Sequence, residues 1–175
     1  LSINDQSIIN QIDNFIDCDI IDYDVENTSK PLSDSYECIQ KYTYNSFIDE
    51  FGIDNIKIIL SLLPNIVNNG LTQSFCILLK LFPFILDSHY DVLLLKKTHS
   101  VQNNILHIIN NDRAVDILDI ILKTNNKLID IKNEKGVTPL IKYSELNLSN
   151  CICTLLKYNC DIELVDNRLD TFLHK

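Results

Sequence analysis

Apolar residues recur along the first half of the chain at helical spacing, in short blocks set apart by polar runs. Ile8, Ile9, Ile12, Phe15 and Ile16 fall on one face of a short helix. A polar, acidic stretch follows as far as Thr28-Ser29-Lys30-Pro31 and reads as a solvated linker. Two further helices are predicted over 35–51 and 53–68, with Gly52 between them. In the second, Ile56, Ile59, Leu60, Leu63, Ile66 and Val67 form a broad apolar stripe. Pro64 lies inside that stripe and predicts a kink or a stop one turn early, because proline lacks the amide that would bond four residues back. Asn68-Asn69-Gly70 supplies a C-terminal stop. Helices over 71–82 and 87–95 come next, split by Pro83.

The last third has a different order. Asn133-Glu134-Lys135-Gly136-Val137-Thr138-Pro139-Leu140-Ile141 and Asp166-Asn167-Arg168-Leu169-Asp170-Thr171-Phe172-Leu173-His174 superimpose position by position, Asn133 on Asp166 and Thr138 on Thr171. Asn104-Ile105-Leu106-His107 aligns in turn with Thr138-Pro139-Leu140-Ile141, so Leu106, Leu140 and Leu173 share one register. Helix pairs are predicted at 105–110 with 114–123 and at 139–145 with 151–158. Pro139 suits a first helical turn, where a missing N–H has no partner to lose.

This recurrence, with an acid or amide, a glycine and then Thr-Pro-Leu-His, resembles the ankyrin repeat, a unit of about 33 residues made of a β-turn followed by two antiparallel helices. The resemblance implies an all-α fold, an ankyrin-type helical repeat solenoid with irregular N-terminal helices. It extends to the run from Leu155 to Asp166, where Asn159 takes the place of a left-handed glycine and Cys160 that of a small alanine. Asn126 stands at the corresponding glycine place one repeat earlier. Two departures carry expectations. Tyr143-Ser144 and Ile109-Asn110 fill positions that are usually alanine, which implies looser stacking. Leu169 stands where the turn glycine belongs, which implies a variant turn, since a branched side chain at positive φ is costly. The segment from Ser74 to Lys80 is similar to the helix at 151–157, so 71–95 reads as a decayed repeat with about ten extra residues in its connection onward. The expected division is an acidic N-terminal segment at 1–35, irregular helical pairs at 36–100, and repeats at 101–175, cut short at their C-terminal end.

Charge narrows the function. The net charge is -9, and residues 1–50 hold 11 acids against 2 bases, leaving 13 of each in 51–175. A neutral repeat region behind an acidic leader excludes nonspecific nucleic-acid binding, which needs clustered Lys and Arg against phosphates. The apolar run from Phe75 to Leu86 is interrupted by Lys80 and Pro83 and is too short to span a bilayer, so no membrane insertion is expected. The six cysteines show no paired spacing of the kind zinc sites use, and Cys151 and Cys153 point away from each other on one helix. They read as buried free thiols of an intracellular, cytoplasmic protein. The acids from Asp17 to Glu26 lack the glycine and glutamate that a calcium loop requires.

Chemistry is equally sparse. With Gly52, Gly70 and Gly136 as its only glycines the chain has no phosphate loop, and it contains no hydrolase or kinase signature. His107 and His174 occupy the repeat's histidine, where the resemblance implies a ring hydrogen-bonded to nearby backbone; His89 and His99 read as solvated. No catalytic, cofactor or metal site is expected. The resemblance implies a monomeric, non-catalytic protein-interaction module, or else the targeting arm of a larger enzyme or regulator. Its contacts, carried over by position, are Lys132, Glu134, Lys135, Val137, Glu145 and Leu146 in one repeat and Val165, Asn167, Arg168 and Asp170 in the next.

Overall fold

A computed structural model describes residues 53–86 and 103–175. The predicted helices at 8–16, 35–51 and 87–95, the acidic stretch, and the expected boundaries at 35 and 100 lie outside these residues. The described part is helical, with no strand among the described residues. Helix α1 spans Ile53–Asn68 and α2 spans Thr72–Leu81, followed by a 3₁₀ turn at Pro83–Leu86. A 3₁₀ turn at Ile105–Ile108 and another at Asp112–Ala114 lead into α3, Val115–Thr124. After a 3₁₀ turn at Asn126–Leu128 come α4, Pro139–Glu145, α5, Ser149–Lys157, and a last 3₁₀ turn at Phe172–His174.

Two boundaries differ from the sequence expectation. Helix α1 does not stop before Pro64 but continues to Asn68. Leu63, Ile66 and Val67 are all 0% exposed, so burial holds the final turn although the ring removes one backbone bond. The Asn68 side-chain amide also donates to Pro64 O at 2.8 Å. The predicted helix at 105–110 is instead a single 3₁₀ turn, because Ile109 is extended at φ -65°, ψ 124° and ends it.

The α1–α2 and α4–α5 connections are built alike. In one, Gly70 is left-handed at φ 67° and its N–H donates to Val67 O, while Leu71 N donates to Ile66 O and Thr72 N to Gly70 O. In the other, Asn147 takes φ 56°, with Asn147 N donating to Ser144 O, Leu148 N to Tyr143 O and Ser149 N to Asn147 O. The two sets keep a single offset throughout, which places Phe75 on Ile152 and Leu78 on Leu155. It is the register in which the 74–80 and 151–157 sequences align. Glycine and asparagine are the residues that tolerate this conformation most easily.

One apolar core runs through every element, from Leu63 and Phe75 through Leu106, Leu118 and Leu122 to Leu140, Tyr143 and Leu155. Helices α3, α4 and α5 have only 10, 7 and 9 residues, too few to persist in isolation, so their stability comes from this packing. Tyr143 corrects the expectation of looser stacking: it is 0% exposed, and its hydroxyl donates to Leu106 O at 2.9 Å, 37 residues away. Ser144 Oγ likewise donates to Phe172 O at 2.7 Å. Two of the four positions expected to hold alanines therefore carry side-chain donors that reach the backbone of adjoining segments. Helix α5 has no side-chain cap of its own; the Asp112 carboxylate accepts from Asn150 N at 3.2 Å and Cys151 N at 3.1 Å.

Leu140 is 2% exposed in the middle of this core. Leu140→Ala is expected to cost about 2–5 kcal/mol, as large-to-small core changes do, read as a lower denaturant midpoint. An unchanged midpoint would contradict the packing described.

Candidate partner-binding edge

Residues 133–137 and 166–170 form two turns of the same construction. Asn133 Oδ1 accepts from Lys135 N at 3.0 Å and Val137 N at 3.1 Å, while Asn133 N donates to Val137 O and Gly136 N to Asn133 O. Asp166 Oδ1 accepts from Arg168 N at 2.8 Å and Asp170 N at 3.1 Å, with Asp166 N donating to Asp170 O and Leu169 N to Asp166 O. An acceptor side chain bonding its own backbone two residues on is what Asn and Asp bring to turns. The expected variant geometry at Leu169 is not found: its φ is 68°, against 73° for Gly136. The bonds from Asp166 impose the conformation on leucine at a cost on the order of 1–2 kcal/mol. Upstream, Asn159 is left-handed at φ 58° as its position implies. Asn126 is not, because it opens the 3₁₀ turn at Asn126–Leu128.

A cap follows each of these two turns, and a third cap stands at Asn104. Asn104, Thr138 and Thr171 have φ/ψ of -86°/178°, -84°/163° and -83°/173°, and each side-chain oxygen accepts from the backbone of the helical turn it starts. His107 and His174 stand three residues after the first and third caps and close capping boxes, each Nδ1 accepting from the cap residue's N–H at 3.2 Å. His107 Nε2 donates to Val137 O at 2.9 Å, joining its cap to the next turn. Among the described residues, four of the five buried polar residues, Asn104, His107, Thr138 and Asp166, belong to these turns and caps, and every buried side-chain polar atom is bonded.

The turns stack on one another. Asn167 N donates to Lys135 O at 3.1 Å and Asn167 Nδ2 to Glu134 O at 3.0 Å, while Asn133 Nδ2 donates to Asn103 Oδ1 at 3.2 Å. Lys132 Nζ donates to Val165 O at 2.7 Å. Of the ten expected contact residues, Lys132, Glu134, Lys135, Val165 and Asn167 are therefore brought together along one edge, with Arg168 beside them. Val137 is half-buried and its carbonyl receives His107. The side chains of Glu134, Lys135 and Arg168 are exposed. Glu145 and Asp170 are instead engaged by Lys175, whose Nζ is 3.1 Å from both and 3.0 Å from Asp166. Leu146 ends α4 and is 43% exposed.

Sequence reading missed the pair at the centre of this arrangement. Asp166 is buried, and the Lys175 ammonium, its bonds outweighing the opposing effect of burial and aided by the N–H groups of Asp170 and Arg168, lowers its carboxyl to about 2. The signal was present in the alignment of the two turns, since Asp166 occupies the place of Asn133. Cysteines are part of the same correction. Cys151 and Cys160 are buried, and burial, with a carboxylate nearby, pushes their thiols up to about 12 and about 11; Cys153, by contrast, is exposed. A thiol raised this far is a poor nucleophile at neutral pH.

Among the described residues no cluster of His, Cys, Asp or Glu could hold a metal ion, and no helix is long and apolar enough to cross a membrane. No protein-family model matches the chain, and no curated protein matches it at significance.

Burial, with a smaller push from Lys142, lowers His107 to about 4 from an ordinary 6.5. Between those values the unfolded chain binds the proton and the folded chain does not, so stability falls as pH drops through that window, by on the order of 3 kcal/mol in total. Asp166 works in the next window: its folded value of about 2 lies below the usual 3.8, so its contribution is present above 3.8 and lost as pH falls toward 2. Equilibrium unfolding at stepped pH is expected to show both losses, and His107→Gln is expected to flatten the first while leaving the second.

Proposed function

We propose that this chain is a non-catalytic protein-interaction module, an ankyrin-type repeat array that binds another protein through the edge of its stacked turns. The supporting observation is the recurrence of one turn-and-cap construction at the positions where the sequence superimposes on itself, with its backbone bonded within each turn, one turn seated on the other through Asn167, and the side chains of Glu134, Lys135 and Arg168 left in solvent. The matching recurrence of the helix connections is what brings α1 and α2 into the same reading. An edge held rigid by its own hydrogen bonds presents side chains at low entropic cost to binding.

Within this reading Lys135 and Arg168 are the exposed cations of the edge, and Glu134 is interleaved with them. Such charges set register and association rate more than final affinity. Lys132 and Asn167 act differently: their side chains tie one turn to the next and shape the edge rather than meet a partner.

The test places a photo-crosslinking residue at position 135 and, as a control, at position 123 on α3, and maps the captured partner by mass spectrometry. A partner bound at the edge is captured from 135 and not from 123. Reversal of both cations, Lys135→Glu with Arg168→Glu, is expected to slow association with that partner and to leave stability within about 0.5 kcal/mol, since exposed charges seldom move it further. Equal capture from both positions, or an association rate indifferent to the reversal, would place recognition elsewhere.

A further inference from the structure

Gly136 lies beneath the turn that follows it. A Cβ on Gly136 would stand 2.5 Å from Asn167 Oδ1 and 2.8 Å from the Asn167 backbone nitrogen. A side-chain rotation relieves the first contact but not the second, because that nitrogen is main chain and is committed to Lys135 O at 3.1 Å. Position 136 thus needs glycine twice over, for its φ of 73° and for the space the next turn occupies.

Leu169 is the same position of the 166–170 turn, at φ 68° and inside the same pattern of turn bonds. It carries a whole side chain and is 77% exposed. We infer that Leu169 is a stacking block: no further turn, from this or any other polypeptide, can seat on 166–170 in the geometry by which 166–170 seats on 133–137. The carbonyls of Asn167 and Arg168, which correspond to the Glu134 and Lys135 carbonyls that receive Asn167, are closed to a turn approaching in that register. Leucine at this place combines a left-handed backbone with an exposed apolar side chain, two penalties that glycine would remove together. The clash begins at the Cβ, so alanine blocks as leucine does and only glycine opens the face.

That distinction gives the test. A second copy of residues 143–175 joined directly after Lys175 continues the same register and brings a second Asn167 to the outer side of the 166–170 turn. Three versions of this extended chain are made, with leucine, Leu169→Ala or Leu169→Gly in the inner turn, and amide exchange is followed by NMR. The amide of the second-copy asparagine is expected to exchange freely in the leucine and alanine versions and to slow at least about tenfold in the glycine version. Core amides at Leu140 and Leu155 report that all three are folded. Protection in the leucine or alanine version overturns the block, and so does its absence from a folded glycine version.

Discussion

Everything in the described part of this protein depends on one exchange between neighbouring segments: a side chain or turn in one supplies hydrogen bonds to the main chain of another that is distant in sequence. Tyr143 donates a hydrogen bond to Leu106 O, His107 to Val137 O, Asn167 to Glu134 O, and Ser144 to Phe172 O. Helices α3, α4 and α5 are too short to stand alone, and the turns and caps between them carry most of the buried polar side chains among the described residues. Apolar burial supplies most of the driving force for collapse, but it is non-directional. These bonds fix the separation and register at which each segment meets the next.

Polar burial is concentrated accordingly. Asn104 shows how much one such side chain does: its carbonyl oxygen caps the turn at Ile105–Ile108, and its amide donates to Leu128 O at 3.0 Å, so one residue both starts a helical turn and holds the approach to the following segment. Thr138 and Thr171 cap with one backbone N–H each, at 3.3 Å, where Asn104 accepts two. A fully satisfied network of this kind is expensive to disturb, because any member removed leaves a buried partner without a bond.

Much of this was legible in the sequence, and the parts that were not share a cause. The superposition of the chain on itself located the two turns and set Leu106 and Leu140 in one register, since each depends on a local residue type at a fixed place. Leu169, Tyr143 and the early stop offered at Pro64 were misread for the opposite reason. Each is unfavourable by its own propensity and is overruled by its surroundings: Leu169 by the carboxylate of Asp166, Tyr143 by the distant acceptor Leu106 O, Pro64 by the burial of Leu63, Ile66 and Val67. The edge residues divide in the same way. Position identified them as solvent-facing, but only coordinates separate Lys135, whose side chain projects into solvent, from Lys132, whose amine is bound to Val165 O.

The borrowed cap of α5 makes its first turn dependent on another segment. A short helix with no capping side chain of its own has a poor nucleus, and the carboxylate that completes its first turn belongs to Asp112, on the far side of α3 and a whole turn segment earlier. The start of α5 is therefore coupled to the 103–124 region: whatever displaces Asp112 leaves the Asn150 and Cys151 amides without that acceptor.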